Sequence, residues 1–308
     1  MNFQHTPVLF NEIISFLPKS AKVIIDFTLG GAGHSIAMLQ HCGDSVLYGV
    51  DRDNEAITSA SQNLSGYTDR IHLLHCSFSE AINTLKQDAV SADFILADLG
   101  VSSHQLDSGK RGFSFRQDGP LDMRMNPDDP TTAADIVNNA SQEELTMIIK
   151  KYGEDRFAKK IAQNIVRYRR SKQFSTTLEL SECIKDAVPK KFHFDRIHPA
   201  TRTFQAIRME VNRELEELNY LLEHSIDLLN TSGKMAVISF HSLEDRPVKQ
   251  MFRKWEDPCQ CPKSIPRCIC GLKPIAKRVN RKMIMASDQE KAENFRSRSA
   301  KLRVMEKL

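Results

Sequence analysis

The stretch Lys22-Val-Ile-Ile-Asp-Phe-Thr-Leu-Gly-Gly-Ala-Gly-His-Ser35 decides the fold. It opens with a short β-branched run that ends in Asp26, continues as a glycine cluster, and leads into residues 35–41, whose pattern predicts a helix. Glycines between a strand and a helix let the backbone turn sharply and approach a ligand closely. The order is typical of nucleotide-type sites in open α/β sheets, although a purely structural turn stays open for the loop taken alone.

The next predicted strand, residues 45–51, ends in Asp51, 20 residues after Gly31. An open α/β site places an acid there to bind ribose hydroxyls, so the pair indicates an adenosine-type cofactor. The dinucleotide fingerprint is incomplete, because Ile36 stands where a third glycine would fall. Asp26 adds a negative charge beside the loop, which disfavours a pyrophosphate and suits a cation. These features favour S-adenosylmethionine over NAD.

Strand and helix patterns keep alternating after this point, with helices predicted at 54–64 and 78–85 and strands at 71–75 and 93–98. The alternation predicts an α/β fold, a doubly wound parallel sheet with helices on both faces.

The alternation then stops. Residues 109–130 are rich in Gly, Asp and Pro and predict a long loop, and residues 132–189 predict helices only, with a capping box at Ser141-Gln-Glu-Glu144. Strand pattern returns at 234–240, after a helix at 215–229 and a turn at 230–233. We therefore predict a discontinuous catalytic domain, 1–104 with 213–308, that carries a helical insertion at 105–212.

Asp98 ends the predicted strand that would lie beside the first one, at the edge where an open sheet holds its ligand. In methyltransferases that act on amines, a short segment at this place carries a polar residue that faces the target amine. An exocyclic base amine, such as that of cytosine, is a weak nucleophile, and an oxygen acceptor can orient its lone pair and help to remove its proton. Asp98 or the Ser102 hydroxyl could do this, and a carboxylate that caps the next turn is the structural alternative. Such chemistry needs no cysteine nucleophile; Cys76 lies near Phe78, after the third strand.

Composition excludes several classes of protein. The chain has 308 residues, of which 41% are hydrophobic and 27% are charged, as in ordinary globular proteins and unlike disordered, collagen-like or coiled-coil chains. No apolar run approaches the roughly 20 residues that cross a bilayer, and the start carries no secretory pattern. We expect a cytoplasmic protein without a membrane partner, in which the seven cysteines are reduced.

Charge is divided unevenly along the chain. Residues 246–308 hold 17 Lys/Arg and 6 Asp/Glu, so the remainder of the chain is net acidic. A second basic stretch runs from Lys150 to Lys172. Neutralisation of phosphates is the main sequence-independent source of nucleic-acid affinity, so the two stretches favour a nucleic-acid partner. A solvated basic face is the alternative for either stretch alone.

Several longer strings together resemble one family, the bacterial ribosomal small-subunit RNA (cytosine-N4)-methyltransferase H family, or MraW. The resemblance covers nearly the whole chain. The strings are His5-Thr-Pro-Val-Leu9, 26–35, Asp51-Arg-Asp53, 98–107, Arg111-Gly-Phe-Ser-Phe115, Asp118-Gly-Pro-Leu-Asp-Met-Arg-Met125, Tyr152-Gly-Glu-Asp-Arg-Phe-Ala-Lys159, His198-Pro-Ala-Thr-Arg-Thr-Phe-Gln-Ala-Ile-Arg208, Ser239-Phe-His-Ser-Leu-Glu-Asp-Arg246 and Asn294-Phe-Arg-Ser-Arg-Ser299.

The resemblance implies a class I methyltransferase domain with an inserted helical substrate domain. It implies transfer of a methyl group from S-adenosylmethionine to the N4 amine of a cytosine in the decoding region of 16S ribosomal RNA, free or in the assembled subunit. Asp98 is the implied catalytic residue. The oligomeric state, including a homodimer, stays open. The implied cofactor contacts are Ala32, Gly33, His34, Asp51, Phe78, Asp98 and Gln105. Many members of the family have glycine at the position of Ala32.

Two further strings have alternative interpretations. His241, with Glu244 and Asp245 after it, could take up the released proton, but a turn network is the interpretation that we favour. Arg202 and Arg208 flank Phe204, a pattern that suits phosphate binding and base stacking; packing of Phe204 is the alternative.

Four cysteines form two Cys-x-Cys pairs, Cys259/Cys261 and Cys268/Cys270. They could bind one zinc ion, yet structural zinc sites usually separate paired cysteines by two to four residues. A reduced loop and redox-sensitive thiols are the alternatives, and we predict no metal site.

Three other functions compete with RNA methylation. An amino-methyltransferase that acts on DNA is disfavoured because no Pro-Pro-aromatic segment follows Asp98, and a dehydrogenase is disfavoured by the incomplete glycine fingerprint. A ribosome-assembly factor that uses the cofactor only as a ligand is the alternative that is not an enzyme.

Overall fold

The computed structural model describes residues 7–193, 197–262 and 269–308. His5 and Thr6 of the first string, and Cys268 of the cysteine pairs, lie outside the described residues. The chain divides into two compact units: unit 2 is Val101–Leu215, and unit 1 contains the described residues before and after it. The boundaries predicted from the sequence, 105 and 212, lie a few residues inside those of unit 2.

One mixed sheet forms the centre of unit 1. Its strands are β1 (Val23–Asp26), β2 (Val46–Asp51), β3 (Ile71–His75), β4 (Ala92–Asp98), β5 (Leu229–Ser239), β6 (Ala276–Arg278), β7 (Ile284–Met285) and β8 (Lys301–Lys307). They are ordered β3-β2-β1-β4-β5-β8-β6, and β7 also pairs with β8. The strands β1 to β5 are parallel, whereas β8 runs antiparallel to β5. The predicted α/β sheet is thereby confirmed.

Helices connect the parallel strands and form most of unit 2. They are α1 (Phe10–Phe16), α2 (Gly33–His41), α3 (Asn54–Asn63), α4 (Phe78–Gln87), α5 (Ser103–Asp107), α6 (Ala133–Asn139), α7 (Gln142–Gly153), α8 (Ala158–Arg169), α9 (Thr177–Ala187), α10 (Thr201–Val211), α11 (Glu214–His224), α12 (Ser242–Glu256) and α13 (Asp288–Glu293). Short 3₁₀ turns lie at Ser65–Arg70, Gly109–Arg111, Lys190–Phe192, Ser225–Leu228 and Phe295–Ser299.

One predicted boundary is wrong. The sequence predicts a helix to residue 229 and a turn at 230–233, but α11 ends at His224 and β5 already begins at Leu229. The turn residues form an irregularity inside the strand, because Ala92 pairs with Leu229 whereas Phe94 pairs with Lys234. Ser232 adopts a positive φ of 66° at this point. Turn-forming residues therefore mark a bulge here rather than the end of a strand.

Unit 2 has its own apolar core and well-defined helix starts. The predicted capping box at Ser141 is confirmed, since its side chain accepts from the Glu144 backbone N–H and the Glu144 carboxylate accepts in return. Helices α6 and α9 begin in the same way, at Thr132 and Thr176. Such boxes satisfy backbone N–H groups that a helix start leaves unpaired. The side chains behind them build a core that includes Phe174, Ile161 and Leu180.

Three neighbouring parallel strands of unit 1 each end in an aspartate. Asp26 ends β1, Asp51 ends β2 and Asp98 ends β4, and β1 lies between the other two. Buried apolar residues such as Phe94, Ile24 and Leu47 fix the strands below these ends. Because parallel strands end at the same edge of a sheet, the three carboxylates lie along one edge, where an open α/β fold holds its ligand in a crevice.

Candidate active site

The glycine turn after β1 is held by the aspartates on either side of it. The Asp26 carboxylate accepts from the Thr28 backbone N–H at 3.0 Å and from the Ser35 hydroxyl at 2.7 Å. The Asp51 carboxylate accepts from the Gly30 backbone N–H at 2.8 Å. These bonds fix the loop before any ligand arrives, which reduces the ordering that binding requires.

Ala32 and Gly33 form the start of α2. Ala32 is fully buried and adopts a left-handed backbone with φ 64°. A Cβ at Gly33 would lie 2.7 Å from Cγ of Pro7, a distance that real Cβ atoms do not adopt. The backbone is therefore closely packed at both positions, and the Ala32 N–H already donates to the Leu29 carbonyl at 2.7 Å within the turn.

Asp98 lies at the opposite wall of this crevice. Its backbone N–H donates to the Thr28 hydroxyl at 2.6 Å, and Oδ2 lies 3.7 Å from Nε2 of the buried His34. Its other carboxylate oxygen, Oδ1, is buried and has no hydrogen-bond partner among the described residues. A buried carboxylate oxygen without a donor is unfavourable unless a ligand supplies one.

The crevice is strongly acidic. Burial raises the pKa of Asp98 well above its usual range, and the charges of Asp26 and Glu244 raise it further. Burial likewise raises the pKa of Asp26, against the effect of its hydrogen bonds with Ser35 and Thr28. Carboxylates that repel one another in a partly dry crevice bind a cation favourably. This group of carboxylates thus fits a sulfonium or an ammonium group and does not fit a pyrophosphate.

Asp51 and Phe78 lie on the other side of the glycine turn. Burial raises the pKa of Asp51 to about 6, opposed by hydrogen bonds from the Asp53 and Gly30 backbones. Each carboxylate oxygen has two lone pairs, so Asp51 retains acceptor capacity for hydroxyl groups. Phe78 begins α4 and packs edge-on against Phe27, with 5.8 Å between ring centroids.

The last of the predicted cofactor contacts, Gln105, belongs to unit 2. Gln105 is buried, and its Oε1 accepts from the Ser102 backbone N–H at 3.1 Å. The predicted contacts Ala32, Gly33, His34, Asp51, Phe78 and Asp98 all belong to unit 1. Burial, with nearby Glu80 and Glu217, raises the pKa of the Cys76 thiol to about 11, so this cysteine is protonated and a poor nucleophile at neutral pH.

Thr28 is a residue that the sequence analysis missed. Its hydroxyl accepts from the Asp98 backbone N–H and lies 3.4 Å from the Asp26 carboxylate, so it connects two of the strand ends. The sequence carries a weak signal for it, because an Asp two residues before a Thr is typical of a side-chain-capped turn. The bond to β4 depends on strand order, which the local pattern does not contain.

The string after β5 forms a helix start. Glu244 is buried; one carboxylate oxygen lies 2.9 Å from Nε2 of His241, and the other accepts from the Phe240 backbone N–H at 2.7 Å. Asp245 forms a two-point ion pair with Arg303 of β8, at 2.8 and 3.1 Å. These contacts support the turn-network interpretation of the string.

The Arg-Phe-Arg string is engaged within unit 2. Phe204 is 4% exposed and packs against Phe115, with 4.9 Å between ring centroids. Arg208 makes a two-point ion pair with Glu214, at 2.7 and 2.8 Å. Packing, rather than base stacking, is therefore the role that the structure favours for Phe204. Arg202 remains exposed.

Comparison with known proteins identifies the family. The sequence model of the MraW methylase family matches residues 2–308. A protein from Geobacter sp. strain M21, named ribosomal RNA small subunit methyltransferase H, is 49% identical over 100% of this chain and 99% of its own. A protein of the same name from Pelobacter propionicus is 47% identical over 99% of each chain. The chain belongs to the MraW methylase family.

Solved structures are matched at low sequence identity. The rRNA methylase from Streptococcus thermophilus matches with a TM-score of 0.43 and 11% identity, over 100% of this chain and 99% of that one. Members of the MraW family are S-adenosylmethionine-dependent, so S-adenosylmethionine is the cofactor of this chain. The predicted class I methyltransferase sheet is confirmed. Among the described residues, no helix is both long and apolar enough to cross a membrane.

Proposed function

We propose that this MraW methylase transfers a methyl group to the N4 amine of a cytosine in the decoding region of small-subunit ribosomal RNA. The observation that carries the proposal is the Asp98 carboxylate: it ends β4 at the crevice, and its Oδ1 has no hydrogen-bond partner among the described residues. An amine N–H is the donor that such an oxygen needs. The names of the Geobacter and Pelobacter relatives support the choice of substrate.

The residues of unit 1 divide the work of holding the cofactor. The backbone at Ala32 and Gly33, with His34, lines the turn, while Asp51 accepts hydrogen bonds from the ribose hydroxyls and Phe78 packs beside the adenine. The acidic crevice around Asp98 stabilises the positive charge. When bound, S-adenosylmethionine supplies an electrophilic methyl group on a sulfonium. The family resemblance also assigns Gln105 to the cofactor, as a contact of its methionine part.

Asp98 has two tasks in the proposed reaction. Its Oδ1 accepts a hydrogen bond from the cytosine amine and thereby orients the nitrogen lone pair. It then accepts the proton that the amine releases. The raised pKa of this carboxyl, which has its cause in burial and in Asp26 and Glu244, makes Asp98 a better proton acceptor than an exposed aspartate.

RNA binding is assigned to the basic residues. Helices α7 and α8 of unit 2 expose several lysines and arginines, among them Lys150, Lys159, Lys160 and Arg167. Residues 246–308 add a net basic segment. The target base must leave its stack to reach the crevice, which favours an accessible, deformed site in the RNA. Such a substrate places the protein in the cytoplasm.

Small subunits from cells that lack this protein provide the test. Incubation with the purified chain and tritium-labelled S-adenosylmethionine should label the small-subunit RNA, and mass spectrometry should place the methyl group on N4 of one cytosine. Label on a ring carbon or on another RNA would refute the proposal. Tight RNA binding without any label would favour the assembly-factor alternative.

A further inference from the structure

The loop between α12 and β6 brings three cysteine sulfurs together. The Sγ atoms of Cys259, Cys261 and Cys270 all lie within 4.8 Å of one another. In a tetrahedral zinc site with Zn–S bonds of about 2.3 Å, any two sulfur ligands are about 3.8 Å apart. The observed sulfurs are therefore close to that arrangement, although the one-residue spacing of Cys259 and Cys261 argues against it in the sequence.

Two backbone features direct the sulfurs towards a common point. Gly271 has a positive φ of 68°, which turns the chain directly after Cys270. The Ile269 backbone N–H donates to Sγ of Cys261 at 3.4 Å. This bond holds the Cys261 sulfur beside the backbone of the segment that carries Cys270.

Apolar packing does not explain why the three sulfurs lie close together. The described residues from Asp257 to Ile275 include none that is buried, and Ile269 and Leu272 are 76% and 47% exposed. At the base of the loop the Ile275 N–H donates to the Trp255 carbonyl at 3.0 Å. A short loop without a core needs a covalent bridge or a metal to hold its distal part.

We infer that Cys259, Cys261 and Cys270 bind a zinc ion that holds this loop in place. Three thiolates are soft ligands, which select zinc over magnesium or calcium. Two positive charges also reduce the repulsion among three neighbouring thiolates. This inference replaces the expectation from the sequence that the chain has no metal site.

Metal content of the purified full-length chain tests the inference. Protein expressed with added zinc and purified without chelators should contain about one zinc per chain by elemental analysis. The zinc content of the double variant Cys261→Ser/Cys270→Ser should be lower by about tenfold or more, since two of three ligands are removed. The matched control Cys76→Ser, which changes a cysteine outside the loop, should retain it.

A second measurement on the unmodified chain is independent of how the variants fold. Cobalt exchanged for zinc should produce the charge-transfer and d–d absorption bands of a tetrahedral cobalt–thiolate site. Four outcomes would each overturn the inference. They are wild-type protein that contains no zinc after supplementation, a double variant that retains its zinc, copper or iron bound to wild type instead of zinc, and a disulfide between loop cysteines in protein that has not been reduced.

Discussion

Nε2 of His34 lies 3.7 Å from Oδ2 of Asp98, across the crevice between the start of α2 and the end of β4. This separation is too long for a direct hydrogen bond, so the imidazole lies beside one carboxylate oxygen without being bonded to it. The other oxygen, Oδ1, has no partner among the described residues. The carboxylate therefore has one oxygen beside the imidazole and one buried oxygen that still lacks a hydrogen-bond donor.

Asp98→Asn should slow methyl transfer strongly while the fold is retained. An amide of the same shape cannot accept the proton, and loss of a general base reduces a rate by about 10²–10⁴-fold. Single-turnover transfer of tritium measures this rate. Asp93→Asn, at the other end of β4, is the control. Asp93 accepts hydrogen bonds from the backbones of Lys22 and Val23, so this variant should lose stability and keep its rate.

The same two variants should differ in the pH dependence of their stability. The pKa of Asp98 is raised in the folded state, so its ionisation opposes folding as the pH rises through that pKa. Asp98→Asn should therefore unfold at a higher temperature than wild type at neutral pH, and the difference should vanish in acid. Burial tends to raise the pKa of Asp93, but its hydrogen bonds lower it overall. Asp93→Asn should therefore be less stable than wild type at pH values above those at which an ordinary aspartate titrates. Thermal unfolding across pH decides both signs.

Asp98→Asn should weaken S-adenosylmethionine binding more than S-adenosylhomocysteine binding. The two ligands differ by the methyl group and the positive charge on sulfur, and the acidic crevice stabilises only the charged form. Removal of one partly buried carboxylate should reduce the preference for the charged ligand by about tenfold, or about 1.4 kcal/mol. Calorimetric titration of both ligands measures it. Equal losses for both ligands would contradict an electrostatic role for Asp98.

Cofactor affinity should fall in mild acid through Asp51. The pKa of this carboxyl is raised to about 6, mainly by burial, so it is an ionised hydrogen-bond acceptor at neutral pH and protonated well below that value. The dissociation constant of S-adenosylhomocysteine, whose sulfur is neutral, should rise as the pH falls through about 6. Asp51→Asn should bind more weakly at neutral pH and lose this dependence. A wild-type affinity that stays flat across this range would exclude Asp51 as the ribose acceptor.

Ala32→Gly should stabilise the protein or leave it unchanged. Ala32 adopts φ 64°, and a left-handed backbone costs a residue with a Cβ about 1–2 kcal/mol, which exceeds the extra entropy of glycine in the unfolded chain. Ala37, in the middle of α2, is the control, because Ala37→Gly should lose about 1 kcal/mol of unfolding free energy. Urea unfolding measures both variants. Equal losses at both positions would show that the methyl group of Ala32 contributes packing that offsets the strain.

The sequence predicts the three aspartates of the site because each of them ends a strand that can be recognised from its own short stretch of sequence. The strands before Asp26, Asp51 and Asp98 are short apolar runs, and parallel order alone brings their ends to one edge. The Thr28 hydroxyl illustrates what such patterns omit. It joins Asp98 to the turn after β1 only because β4 pairs with β1.

Asn212 illustrates the same limit in unit 2. It is fully buried; its side-chain oxygen accepts from the Met125 backbone N–H at 2.7 Å, and its amide donates to the Met123 carbonyl at 2.7 Å. It thereby fixes the end of a long loop that is far away in sequence. An asparagine at the predicted edge of an insertion carries no signal for this role, since its partners are backbone groups. Likewise, the spacing of the cysteines does not reveal that three sulfurs converge.

Lys159→Glu should weaken RNA binding and reduce its salt dependence. Lys159 is exposed on α8, within the basic stretch of unit 2, so its expected contact is a phosphate. Loss of one phosphate contact should lower the slope of log affinity against log salt by about 1, with a further loss from the new negative charge. Lys19→Glu makes the same charge change at an exposed position outside both basic stretches, and it should shift affinity far less. Filter binding of small-subunit RNA across a salt series separates the two variants, and equal slopes would remove α8 from the RNA-binding surface.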